Sequence, residues 1–200
     1  MAQKESREVT FPLSEAISFS VESIRRRFTR ALITIISIIL GMAFFVALLT
    51  IANIVKAINP EQAGLPAYQL WMAIIALLVC GVGIVNSMLM SVTERYKEIG
   101  TIKTLGATDT HILMIFIIEA AVLGLIGGVI GGFSGWAVAV IMYYVQAAGS
   151  AGLVIGAAIT SLQLVVYAIL LSMLLSLVSA IAPSYIAAKL NPVEALRYEV

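Results

Sequence analysis

Four apolar stretches decide what this chain is able to fold into. Residues 31–55, 68–92 and 161–188 are each long enough, at about 20 residues of 1.5 Å rise, to cross a hydrocarbon core of about 30 Å. The stretch 112–145 is longer than one crossing needs. Lipid offers no partners to free backbone groups, and the alternating pattern of a barrel strand is absent, so helices are the expected form. A composition of 61% hydrophobic and 12% charged residues excludes a soluble domain. The expected class is an all-α integral membrane protein with four transmembrane helices. The organisation is an N-terminal segment 1–30, a membrane domain 31–190 and a tail 191–200. The spans lie at about 31–55, 68–92, 110–145 and 161–188.

The third run has two readings. As one helix, 112–145 is about 50 Å long and must tilt or protrude. As two spans, it turns at Gly127-Gly128 or Gly131-Gly132. The second reading puts Lys189 and Arg197 on the face opposite the other basic residues, so charge favours four spans.

Between the second and third runs lies a charged island, 93–108. Charges are expensive in hydrocarbon, so it belongs in water or among headgroups. In a four-span arrangement it shares a face with both termini. That face gathers Lys4, Arg7, Arg25, Arg26, Arg27, Arg30, Arg95, Lys97, Lys103, Lys189 and Arg197, against Lys56 alone on the other. The positive-inside rule makes that face cytoplasmic. Tyr68, Trp71, Tyr143 and Tyr144 then fall near the outer interface.

Ahead of the first span, Leu13, Ile17, Val21, Ile24 and Phe28 recur at helical spacing. This reads as an amphipathic elbow helix on the membrane surface. Its Arg25-Arg26-Arg27 run either holds anionic headgroups or serves as a topology signal. The connection 56–67 is short and holds the turn signals Asn59-Pro60 and Gly64-Leu65-Pro66. The uncharged, Gly- and Ala-rich 146–160 reads as a surface loop or a segment dipping into the interface. Thr160 or Ser161 then caps the last span.

Within the third run, Gly124, Gly128 and Gly132 repeat at four, as do Gly127, Gly131 and Gly135. Small residues at this spacing let helix backbones approach closely, between copies or within one chain. Glu119 is the acidic side chain within the spans. It is expected to pair structurally with an arginine of the amphipathic helix or to sit protonated, since no chain of further acids is present for proton relay. Asn86 is a second polar group at membrane depth. Asp109 is placed to favour the third helix's N-terminus. Cys80 reads as a small buried residue.

Several chemistries are excluded. There is no G-x-x-x-x-G-K-[ST] phosphate loop. One histidine and one cysteine, far apart in sequence, supply no ordinary metal site. With His111 alone, no Ser-His-Asp set is credible. Nothing suggests nucleic-acid binding. The chain is not expected to be an enzyme by itself, so energy for any work must come from a partner or a gradient.

The run Gly83-Ile84-Val85-Asn86-Ser87-Met88-Leu89-Met90-Ser91-Val92-Thr93-Glu94-Arg95-Tyr96-Lys97-Glu98-Ile99-Gly100, continuing to Gly106-Ala107, resembles the signature of FtsX/MacB-like ABC transporter permeases. That signature reads roughly G-I-x-N-x-M-x-x-S-V-x-E-R-x-x-E-I-G-x-x-x-A-x-G-A. Thr104 stands where the family tends to have alanine. Phe116-Ile117-Ile118-Glu119-Ala120 is similar to the family's start of the third span, and 183–197 to its ending. The chain departs from the family in having only 56–67 where typical members carry a large extracytoplasmic domain.

The resemblance implies a permease in the cell membrane of a prokaryote, with a second copy or paralogue and a pair of separate ABC ATPase subunits. ATP and Mg would be bound by that partner and no cofactor by this chain. The segment 94–106 would be a cytoplasmic coupling helix. Glu94, Arg95, Lys97, Glu98 and Lys103 would bring charge to the docking surface, and Ile99, Ile102 and Leu105 apolar contact. Gly100 would allow close approach, Gly106 would end the helix, and Ala107 would close the motif. ATP hydrolysis would then move a substrate that the resemblance does not name; the small outer surface, with only 56–67 between the first two spans, suits an amphipathic or lipid-like one. The alternatives are a non-transporting mechanical or signalling subunit driven by the same kind of ATPase, and an ATP-independent scaffold or channel.

Overall fold

The computed structural model describes residues 28–59, 66–146 and 151–191. The amphipathic segment 13–27, the turn at 60–65 and the tail beyond Asn191 lie outside the described residues, so the readings made of them are not met by structure. Among these residues five helices follow in order: α1 Phe28–Ile58, α2 Ala67–Glu94, a short α3 Tyr96–Thr104, α4 Asp109–Gln146 and α5 Ala151–Ala188. Four of them are long and apolar enough to cross a membrane. The third run is a single helix of 38 residues, about 57 Å long, with no turn at its glycine pairs.

Those glycines explain why it stays whole. A glycine exposed to water weakens a helix, but one buried against a neighbouring backbone is replaced by contact. The two stripes face two different helices. A side chain at Gly128 would meet Ser172 Oγ at 2.7 Å, and Gly124 and Gly132 likewise abut Ser176 and Val165, all on α5. A side chain at Gly131 would stand 2.8 Å from the Ile39 carbonyl oxygen, and Gly127 and Gly135 abut Ile38 and Ala43, all on α1. All six glycines are buried. Thus α4 is wedged between α1 and α5 by close backbone approach within one chain.

Helix α2 packs on the other side of the α1–α5 pair. Gly41 of α1 sits there against Cys80, which is buried. Hydroxyls knit the interfaces: Thr34 to Ser87 between α1 and α2, and Ser172 donating to the Gly124 carbonyl between α5 and α4. Inside hydrocarbon such bonds have no water to compete with. The main core runs from Ile38, Met42 and Val46 through Ile84, Met88 and Val92 to Ile112, Phe116 and Leu123.

The last helix differs from the sequence reading. It starts at Ala151, so most of 146–160 is helical rather than loop. Thr160 and Ser161 therefore lie inside the helix and cap nothing; their hydroxyls donate to Ala157 and Ala158 carbonyls one turn back. Tertiary packing overrides the glycines. Val154 and Ala157 are buried with Ile54 of α1, and Trp136 Nε1 donates to the Ala158 carbonyl at 3.0 Å. Gly152 and Gly156 have nothing within 4 Å of where a side chain would stand.

These surroundings set opposite outcomes for one substitution. Gly131→Ala forces a methyl onto the α1 backbone and is expected to destabilise the bundle by about 1–3 kcal/mol. Gly156→Ala meets open space and removes a helix-weakening glycine, so it is expected to be neutral or stabilising by up to about 1 kcal/mol. Thermal unfolding of both variants in detergent micelles checks the difference in sign.

Candidate functional site

The charged island folds into α3 and the turns that bracket it. At Arg95 the chain leaves the ideal helix for one residue, with φ −95° and ψ 10°. Arg95 N–H still donates to Ser91 and Val92 carbonyls, and its own carbonyl accepts from Ile99 N–H at 2.8 Å. So α2 and α3 are joined by a bend with its hydrogen bonds kept. The far end of α3 closes with a glycine motif: Gly106 N–H donates to the Lys103 carbonyl and Ala107 N–H to Ile102. Gly106 has φ +101°, a conformation costly for a residue with a side chain. Thr108 precedes α4, and its hydroxyl lies 3.1 Å from His111 Nδ1.

This geometry divides α3 into two faces. Arg95, Ile99 and Gly100 are buried, while Ile102, Lys103 and Ala107 are half-buried. Glu94, Lys97, Glu98, Thr101 and Leu105 are exposed on the opposite side, at steps of three and four. Leu105 is 83% exposed, an apolar side chain at the tip of a polar helix.

Arg95 therefore stands apart from the outward charges with which the sequence reading grouped it. Its guanidinium grips Glu119 of α4 with both terminal nitrogens: Nη1 lies 3.0 Å from Oε2 and Nη2 donates to Oε1 at 3.2 Å. Both side chains are under a tenth exposed. The guanidinium also lies 5.6 Å from the centre of the Phe116 ring, one helical turn before Glu119. Among the described residues Glu119 thus takes its cation from the α2–α3 bend; the amphipathic segment, where the sequence reading sought one, lies outside them. The paired fork geometry suits arginine and would be lost with lysine.

Lys103 also turns inward. Its ammonium donates to the Ala188 and Leu190 carbonyls at 2.5 and 3.0 Å and lies 2.8 Å from Asp109 Oδ1. Carbonyls at a helix C-terminus lack intrahelical partners, and a cation there satisfies both hydrogen bonds and dipole. One lysine on α3 hence ties together the end of α5 and the start of α4. Nothing in the sequence marked Lys103 for the tie to α5, because its partners there are backbone atoms more than 80 residues away.

Asn86 lies elsewhere. It is exposed on α2 among exposed Val79, Val82 and Met90, facing away from the bundle. Among the described residues no three His, Cys, Asp or Glu side chains are grouped to hold a metal.

The profile of the FtsX-like permease C-terminal region matches residues 70–192, from the start of α2 to just beyond the end of α5. The chain is 46% identical over 125 residues to an uncharacterized ABC transporter permease, YknZ, of Bacillus subtilis, covering 62% of this chain and 30% of that protein. It is 37% identical over 153 residues to another, MJ1507, of Methanocaldococcus jannaschii, covering 76% and 38%. It is also similar to the macrolide export ATP-binding/permease protein MacB of Rhodopirellula baltica, 39% identical over 152 residues, covering 74% and 21%. The matched segments thus make up well under half of each of these relatives.

Removing one partner of a buried ion pair leaves the other uncompensated, at a cost of roughly 3–5 kcal/mol. Arg95→Met and Glu119→Leu are each expected to destabilise the protein on that scale. The double variant is expected to lose less than the sum of the two single ones, since the charges that face each other are removed together. A double-mutant cycle from equilibrium unfolding in mixed micelles measures the coupling; additive losses would mean the two groups do not depend on each other.

Proposed function

The chain belongs to the FtsX-like permease family, and from that premise we propose that it is the membrane subunit of an ABC transporter whose ATP is hydrolysed by separate ATPase subunits. The observation that carries this reading is the two-faced α3. One face is locked into the bundle by Arg95 on Glu119 and by Lys103 on the ends of α4 and α5. The other presents Glu94, Lys97, Glu98 and Leu105 to a partner.

A helix anchored in this way transmits force. A push on the outer face reaches α4 through the ion pair, α5 through Lys103, and α2 through the hydrogen-bonded bend. α3 does not move alone, because each anchor would have to leave a buried or bonded partner unsatisfied. That α3 lies in the cytoplasm, where nucleotide is available, follows from the basic residues gathered on its side. The combined ATP-binding and permease name of the Rhodopirellula relative supports an ATPase as the partner. Both termini are then cytoplasmic, in the cell membrane of a prokaryote.

A second permease copy or paralogue completes the assembly. Asn86 supports a protein neighbour on α2, since a carboxamide turned toward hydrocarbon lacks the hydrogen bonds that another helix would supply. The short connection between α1 and α2 leaves little surface outside the membrane, which favours an amphipathic or lipid-like substrate handled by the spans themselves.

Copurification with the cognate ATPase tests the docking. Glu98→Arg and Leu105→Asp both alter the exposed face and are expected to reduce copurification and coupled ATPase turnover at least tenfold, with the unfolding midpoint unchanged. Wild-type levels of both in these variants would sink the proposal.

A further inference from the structure

A groove of about 600 Å³ opens between α1 and α5 near the end of the bundle remote from α3. Its wall is graded. On α1, Lys56, Asn53 and Leu49 follow at steps of three and four, so they share one face, with Lys56 nearest the helix end and Leu49 about 10 Å deeper. On α5, Gln163 faces the same space, with Leu164 and Tyr167 further in. Asn53 Nδ2 lies 3.5 Å from Thr160 Oγ1, which sets the two helices level there.

That level falls at the membrane surface. α5 is 38 residues, about 57 Å, against a hydrocarbon core of about 30 Å. With its C-terminal end beside the charged α3, the hydrocarbon ends near Leu164, and Gln163 and Lys56 stand among headgroups. Among the described residues Lys56 is the sole charged one lining the groove, and Lys56, Gln163 and Tyr167 are all exposed. The ammonium, the carboxamide N–H groups and the phenol are all donors, and among the described lining residues there is no carboxylate.

From this gradient we infer that the groove binds an anionic lipid, its phosphate on Lys56, Asn53 and Gln163 and its chain along Leu49 and Leu164. The proposal deepens the reading of a lipid-like substrate and rests on it. A lipid matches the wall at both ends: a charge for the mouth and hydrocarbon for the depth. Neither a soluble anion nor an uncharged apolar molecule uses both.

The test places the full chain in nanodiscs of equal phosphatidylglycerol and phosphatidylcholine and counts the lipids it retains by native mass spectrometry. The wild type is expected to prefer phosphatidylglycerol, and Lys56→Gln to lower that preference roughly fivefold. Gln163→Leu, on the opposite wall, is expected to lower it as well. Lys56→Gln combined with Ala57→Lys keeps the charge but moves it off the groove, and is expected not to restore the preference. An unchanged preference in Lys56→Gln or Gln163→Leu, or its full recovery with the moved lysine, would overturn the site in favour of general surface attraction. The measurement needs no ATPase, so its failure is separate from failure of the coupling reading, and copurification judges the latter alone.

Discussion

A carboxylate folded into an apolar helix bundle needs a cation beside it, and the position of that cation fixes much else in this protein. Glu119 lies within α4 and Arg95 at the bend between α2 and α3. Neither is tolerable in hydrocarbon alone, because desolvating an unpaired charge costs far more than a packed apolar residue gains. Together, with two parallel contacts and the Phe116 ring alongside, they set the register between α2 and α4, two helices that otherwise touch little. They also decide which side of α3 turns inward, and so which residues remain for a partner.

The rest of the bundle is held by proximity rather than by charge. The glycine stripes of α4 bring its backbone against α1 on one side and α5 on the other. In lipid, where the hydrophobic effect does not drive helices together, such close packing and the interhelical hydroxyl bonds supply the attraction. Two interlocked stripes on one helix leave α4 little freedom to slide without collision. The proposed transmission of force then has a physical basis: α3 is anchored to helices that move as a block.

Sequence and structure agree best where the physics is local. The apolar lengths of the spans and the small-residue spacing of α4 are legible in the chain itself, and the helix and glycine stop of the charged island came with the family resemblance of its motif. The start of α5 was not, because Gly152 and Gly156 read as breakers while their cost was offset by Val154 and Ala157 packing on Ile54. Nor was the division of the charges. Arg95, Lys97 and Lys103 look alike in sequence. Yet Arg95 ends on a buried carboxylate, Lys103 on backbone carbonyls of α5, and Lys97 in the open.

What the sequence alone determined is therefore the class: four membrane-crossing helices with a charged link between the second and third, since hydrocarbon admits only long apolar segments whose backbone bonds close within themselves. Tertiary structure decided the pairings, namely which helix each glycine stripe meets, which cation Glu119 takes, and that Lys56 comes to share a groove with Gln163. Those outcomes depend on atoms brought together from tens of residues apart, and side-chain type or spacing along the chain carries no record of such distances.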